Sequence, residues 1–453
     1  MRSLLAAALR NWISAIGVAL TTASALLFLF LIALELMGFL HNPYVGIVIF
    51  VLVPALFVVG LLLIPIGLWF ERRRRRIDAP APAWPKLDLR DPVTRRMLGF
   101  VAAATLVNLA IISTASFGAV EYSESRAFCG QVCHDVMGPE FVAHENGLHA
   151  RILCVSCHVG PGAGAFLSAK FNGTRQLGLV VTGRYSRPIP TPIEGMPDVQ
   201  STCEHCHAPA RFIGDKIKVF YEHADDEANT QTKTTVRLHV GGPVSGTGSG
   251  TGIHWHMNRA NLVEYVALDD EREKIPYIRV TTSDGKTREY FADGVTPSEL
   301  EGKPRRRMGC LDCHSRPAHT FGSTPERAVD AALGAGLINP KIPFIRREAV
   351  RALRATYPSH EVALPQIERT IRDALSARLP HGFEEGDLRT AIGVTQSLYR
   401  HNVFPSMMIG WGTYPSQLGH TTSSGCFRCH DENHKTRDGV TIRQDCESCH
   451  VIE

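Results

Sequence analysis

Six cysteine pairs, each closed by a histidine, constrain this chain more than any other feature. They are Cys129–Cys133 with His134, Cys154–Cys157 with His158, Cys203–Cys206 with His207, Cys310–Cys313 with His314, Cys426–Cys429 with His430, and Cys446–Cys449 with His450. All 12 cysteines of the 453 residues are used, so no thiol is left over for other work. Five pairs read C-x-x-C-H and the first reads C-x-x-x-C-H. That pattern is the attachment signature of c-type haem. Two thiols at this spacing reach the two vinyl groups on one side of a porphyrin, and the next residue turns its imidazole under the ring to bind the iron. Zinc ribbons also use C-x-x-C pairs, but zinc does not need a histidine after every second cysteine. A disulfide framework gives no reason for the histidine either. The expectation is six covalent haem c groups, held by the twelve cysteines, with the six motif histidines as proximal axial ligands.

Low-spin electron-transfer haems need a second axial ligand. Of 20 histidines, six stand in the motifs, which leaves 14. Those beside motifs or in tight clusters are the candidates: His149, His254, His256, His319, His420 and His434. Met137, three residues after His134, is a candidate for the first iron or is ordinary packing. His205 lies inside a motif and reads as a spacer.

The first 120 residues are of a different kind, dominated by Leu, Ala, Val, Ile and Phe. Three apolar stretches, about Trp12 to Leu36, Val45 to Phe70 and Met97 to Val120, are each long enough to cross a ~30 Å hydrocarbon layer at ~1.5 Å per residue. The link around Gly38 to Tyr44 is uncharged, whereas Glu71 to Arg96 carries Arg72–Arg76, Lys86, Arg90, Arg95 and Arg96. Basic residues in short loops stay cytoplasmic. The N-terminus, with Arg2 and Arg10, is then cytoplasmic, residues 71–96 form a cytoplasmic loop, and everything after about Glu121 is extracytoplasmic. The arginine run therefore reads as a topology determinant, with no nucleic-acid partner. The first span has no clear small-residue cleavage site and is expected to be retained. Glu35 reads as an interfacial residue, with a proton-accepting role as the alternative.

The expected fold is thus a membrane-anchored multihaem cytochrome c. Three transmembrane helices (1–120) precede a mostly helical or irregular haem domain with a small antiparallel β insertion. Residues 121–210 hold the first three haems and 211–305 form the β-rich insertion. Residues 306–402 hold the fourth haem and a helical scaffold, and 403–453 hold the last two haems. Strands are expected at Thr235–Val240, Leu262–Ala267, Tyr277–Thr282 and Arg288–Ala292, in one small antiparallel sheet. Gly246–Gly252 is a loop without the Lys-Ser/Thr of a phosphate cradle. Pro325 to about Asn402 has helical periodicity.

Several stretches together resemble the NapC/NirT family of membrane-anchored cytochromes, most closely its longer inner-membrane, three-span members of the ImcH type. They are Phe128 to His134 with Met137-Gly-Pro-Glu140, His149-Ala-Arg151, Lys170, Arg175, Arg187 to Pro192, Gly252 to His256, Trp411 to Pro415, Gly419-His420 and Gly425 to Asp431. The resemblance implies electron uptake from membrane quinol (menaquinol or ubiquinol) beside the first haem, and transfer along the haems to periplasmic cytochromes or reductases. By position Met137 matches a haem-ligating methionine of relatives, and Lys170 matches a lysine near the quinol. Leu177 stands about where an acidic partner is expected, so Glu140 or Glu145 takes that role. Short members carry four haems; the last two here extend that pattern.

Three functions remain open at this point. One is quinol oxidation with electron export, a quinol dehydrogenase of the bacterial inner membrane serving anaerobic respiration. Another is an electron-transfer subunit of a larger complex without its own quinol site. The last is a terminal reductase of a small oxyanion, with Arg305–Arg307 beside Cys310 as anion-binding cations or as a solvated charge run.

Overall fold

The computed structural model describes residues 12–36, 49, 52–75, 89–132, 134–193, 195–242, 251–376 and 383–453, in two compact units, 1–134 and 135–453. Outside the described residues lie Arg2, Arg10, the expected outward link 38–44, Arg76, Lys86, Cys133 and Gly246–Gly250, and the side chains of Glu35 and His134 are likewise not described.

In the first unit, α1 (Trp12–Leu36) coincides with the first expected span, α2 (Val53–Arg75) covers most of the second, and α3 (Pro92–Glu124) contains the third. Two stretches among the described residues are long and apolar enough to cross a membrane, Trp12–Ala33 and Val53–Glu71. The arginines that follow the second span form the last turn of α2. Helices α1 and α2 pack antiparallel along a seam of small residues. A Cβ added at Gly17 would lie 2.8 Å from the Gly60 carbonyl oxygen, and one at Gly60 would lie 2.7 Å from the Thr21 nitrogen. Ser14 also donates a hydrogen bond to the Ile64 carbonyl at 3.0 Å. Close backbone approach through small residues is how helices associate where no hydrophobic force separates them from lipid. Phe28, Ile49, Val53 and Ala115 bring α3 onto this pair.

The second unit opens with α4 (His134–Glu145), α5 (Cys154–His158), α6 (Ala163–Val181) and α7 (Val199–Cys206). Its largest core is built later in the chain by α8 (Pro325–Gly334), α9 (Ile345–Arg354), α10 (His360–Ser376) and α11 (Glu385–Asn402), the expected helical scaffold. Ile345, Leu353, Ile367, Ile371, Leu375 and Leu388 are all buried there, at helical spacing on facing helices. Thr324 caps α8 by accepting from the Arg327 N–H, with Pro325 at the first helical position.

Two antiparallel sheets replace the single one expected. The first runs β1 (Gly214–His223), β2 (Gln231–Gly241), β7 (His450–Ile452). The second has the order β5 (Thr287–Phe291), β4 (Tyr277–Thr281), β3 (Leu262–Val266), β6 (Arg306–Arg307). Strands β2 to β5 lie where the sequence pattern put them. Strand β1 was not expected: nearly all of it is exposed, and its stability comes from the ladder with β2, from Gly214 opposite Gly241 to His223 opposite Gln231. Strand β7 is three residues long and comes from the far C-terminus, so no local pattern marks it. The strands of the 211–305 segment are therefore completed by residues from outside it.

Candidate haem-binding sites

Each regular motif is one tight turn. Cys154–His158 is a turn of α-helix, α7 ends on Cys206, and Cys310–Asp312, Gly425–Arg428 and Cys446–Ser448 are 3₁₀ turns. The backbone N–H of His207 donates to the Cys203 carbonyl at 2.8 Å, that of His314 to Cys310 at 2.8 Å, and that of His430 to Cys426 at 3.1 Å. A three-residue step within such a turn puts both sulfurs on one side and carries the histidine round behind them. The first motif has one residue more, and Phe128–Val132 takes it up in a π-helical turn, the wider helix that accommodates an inserted residue.

Five of the motif histidines each face a second imidazole; the side chain of the sixth, His134, is not described. Ring centroids lie 6.0 Å apart for His207 and His149, 6.1 Å for His158 and His319, and 6.4 Å for His314 and His254. They lie 5.9 Å apart for His430 and His256, and 6.1 Å for His450 and His420. One metal held from opposite sides by two imidazole nitrogens at about 2 Å each puts the ring centroids roughly 6 to 6.5 Å apart. The donor sets therefore fit an iron bound from both sides.

Hydrogen bonds orient the second rings. Nδ1 of His149 bonds the Pro317 carbonyl at 3.2 Å, that of His254 the Val240 carbonyl at 3.0 Å, that of His256 the Ile253 carbonyl at 3.1 Å, and that of His319 the Glu140 carbonyl at 2.8 Å. A proton fixed on Nδ1 leaves the Nε2 lone pair for a metal. Burial also pushes His158, His256, His314 and His319 below the ordinary imidazole range, favouring the neutral ring. His420 has a different support, stacking on Phe427 at 4.2 Å.

His434 departs from expectation. It is buried, with Nδ1 2.8 Å from Asp431 Oδ1 and Nε2 2.7 Å from the Ile275 carbonyl. With both nitrogens engaged it has no lone pair to offer a metal and acts as a pin between the C-terminal segment and the second sheet. Glu140 departs as well. It is buried, ion-paired with Arg316, and 3.5 Å from Nδ1 of His319, so it braces that ring rather than standing open as a proton acceptor. Glu145 is exposed, and Met137 is half-buried on α4. Lys170 sits on α6 with its ammonium 4.9 Å over the Phe166 ring. His205 is exposed, as a spacer would be, and so are Arg305–Arg307. Arg306 and Arg307 lie on edge strand β6, and Arg305 covers the Tyr277 ring.

The motifs are neighbours in chain order. Burial raises the Cys157 thiol, and the nearby Cys203 adds to it. The thiols of Cys203 and Cys310 are in hydrogen-bond contact. Burial pushes Cys313 up to about 11, with Cys426 contributing next, and raises Cys426, with Cys449 contributing next. The second to sixth motifs thus form one row.

The fourth and fifth motifs are bolted together by a residue between each cysteine pair. Asp312 Oδ1 accepts from the Tyr265 hydroxyl and, at 2.8 Å, from Arg272, while Oδ2 accepts from the Gly309 N–H at 2.7 Å. Arg428 donates to the Asp312 carbonyl and, at 3.0 Å, to that of Arg272. Sequence reasoning passed over Asp312, Arg428, Arg272 and Arg316. For Asp312 and Arg428 the available signal was a charged residue inside a C-x-x-C loop.

Among the described residues no group of three or more His, Cys, Asp or Glu is arranged to hold a bare metal ion, and no disulfide joins the cysteines of the five regular motifs.

No protein-family model matches the chain, and no solved structure matches it. Among curated proteins it is 38% identical, over 448 residues, to the cytochrome c-type protein ImcH of Geobacter sulfurreducens, an alignment covering 98% of this chain and 88% of that protein. Alignment on that scale takes in the apolar helices as well as the haem motifs. The chain belongs to the ImcH family of c-type cytochromes, anchored in a membrane and carrying covalent haem c.

Proposed function

We propose that this chain is a hexahaem cytochrome that oxidises membrane quinol and passes the electrons to periplasmic cytochromes or reductases. The observation that carries the reading is the row of five facing imidazole pairs in a chain that also holds membrane-length helices. On this reading His319 is the second ligand at the site of His158, and His149 at that of His207. His254 serves the site of His314, His256 that of His430, and His420 that of His450. Bound haems would supply a series of one-electron carriers at these positions.

The chain's own residues set the conditions. Carbonyl-anchored Nδ1 protons hold the second rings in the tautomer that binds iron and raise their basicity. Glu140 and Arg316 fix the orientation of His319 from behind. Helix α3 serves as the third span, and the basic residues between α2 and α3 keep that connection in the cytoplasm. Met137 is the second ligand at the first site. Lys170 assists quinol binding, and Glu145 rather than Glu140 takes up a quinol proton.

Imidazoles on both sides leave no open coordination position at five sites, which weakens the oxyanion-reductase reading. Purified protein in detergent mixed with a menaquinol analogue tests the proposal through the haem α-band. Reduction within the mixing time of a stopped-flow experiment is expected. Protein that stays oxidised would leave an electron-transfer subunit lacking a quinol site.

A further inference from the structure

Helix α6 carries an apolar face that the described residues leave largely exposed. Leu167, Phe171, Leu177 and Val181 are 56%, 77%, 53% and 78% exposed. At 100° per residue they fall, with Gly178 and Thr174, on one third of the helix circumference. Ser168, Asn172, Arg175 and Gln176 occupy a separate polar face. The third face turns inward, where Val180 packs on the cluster that includes Val136 and Tyr414. None of the histidines of the five facing pairs lies on α6.

Charge along this stretch of the chain has one sign. From Val159 to Ile193 there is no Asp or Glu, while Lys170, Arg175, Arg184 and Arg187 are present. Contiguous exposed apolar surface marks an interaction site. A stripe of large apolar side chains in a segment whose charged residues are all cationic is the pattern of a helix lying in the plane of a bilayer, its apolar face among acyl chains and its basic residues at anionic headgroups. Lys170 falls within the stripe, and its long stem can carry the ammonium up to headgroup level. A second copy of this chain is the poorer occupant, because two such faces would bring like charges together.

We infer that α6 docks on the lipid bilayer as an interfacial helix, a contact additional to the spanning helices. Its ligand is the anionic phospholipid surface of the membrane in which the chain is anchored.

The test uses the full haem-loaded chain, one copy per nanodisc, in phosphatidylglycerol doped with a lipid bearing a photoactivatable acyl chain. Mass spectrometry of the peptides then locates the adducts. Docking gives adducts at Leu167, Phe171, Leu177 and Val181 and none at Asn172 or Gln176. Phe171→Glu lowers the α6 yield several-fold, with adducts on α1 and α2 unchanged. Labelled α1 and α2 with α6 bare, or adducts spread evenly around α6, would overturn the inference and leave the stripe to a protein partner.

Discussion

Replacing His256 by alanine removes the ring that faces His430 at 5.9 Å with the two planes 87° apart. The consequence can be worked from that angle. In a low-spin ferric haem each imidazole plane splits the iron dxz and dyz orbitals, and two equal rings add as vectors at twice their orientation. The net splitting scales with the cosine of the angle between the planes. It keeps about 5% of its parallel-ring value for His256–His430, about 37% for His149–His207 at 68°, and about 62% for His158–His319 at 52°. For His420–His450 at 26° it keeps about 90%, and for His254–His314 at 9° about 99%. Electron paramagnetic resonance of the oxidised protein should therefore show two ordinary rhombic low-spin components and one strongly anisotropic component from the His256 site. The His256→Ala variant should lose the anisotropic component and gain a high-spin signal worth one iron in six. His254→Ala, altered only two residues away, should lose a rhombic component instead. If both variants lose the same component, or neither gains a high-spin signal, the ligand assignment is wrong.

Intact mass should show six haem additions; five, unchanged by Cys129→Ala, would remove the first motif from the set. Asp312→Ala leaves the partly buried Arg272 without its carboxylate, and breaking a buried pair costs about 3–5 kcal/mol. The urea midpoint followed by the Soret band should fall accordingly, and a loss under about 1 kcal/mol would refute the bolt. His434→Ala should cost about 1–3 kcal/mol through its two lost hydrogen bonds, with the low-spin count unchanged. A new high-spin signal there would restore it as a ligand. Gly60→Leu forces a Cβ to 2.7 Å from the Thr21 nitrogen and should part α1 from α2, lowering the monodisperse fraction on size exclusion at unchanged haem content per chain; an unaltered profile would count against the seam.

What could be read from the sequence was local. Haem attachment needs two thiols and an imidazole within one turn, so Cys310, Cys313 and His314 declare themselves by spacing. The mostly apolar, 25-residue α1 does the same through length. Which ring faces which motif was not legible, because proximity in sequence misleads. His149 stands five residues before Cys154 yet faces His207, and His319 stands five residues after His314 yet faces His158. His434 looked like a ligand because it follows His430 closely. Its second hydrogen bond goes to Ile275, a residue brought there by the fold. Glu140 looked available until Arg316, remote in sequence, closed on it. In each case tertiary contact, which leaves no periodic trace, decided which lone pair or charge remained open.

The interleaving has a thermodynamic consequence. With the proposed ligands, the bonded partners are joined across segments: 149 to 207, 158 to 319, 254 to 314, 256 to 430 and 420 to 450. A haem tied covalently at one motif and by its iron to a distant ring closes each of these loops, and loop closure removes entropy from the unfolded chain as a disulfide does. The iron–imidazole bond forms only in the folded arrangement, so its free energy adds to folding. The scaffold of α8 to α11 has its own apolar core and does not need this help. The motif turns do, because most of their cysteines are only half-buried and, apart from α7, their helices are only three to five residues long. Ile253–Met257 is the extreme case: one 3₁₀ turn holds His254 for the fourth site and His256 for the fifth, with Trp255 between them. A change in that turn would disturb two adjacent carriers at once, which makes it the point where the row is most easily broken.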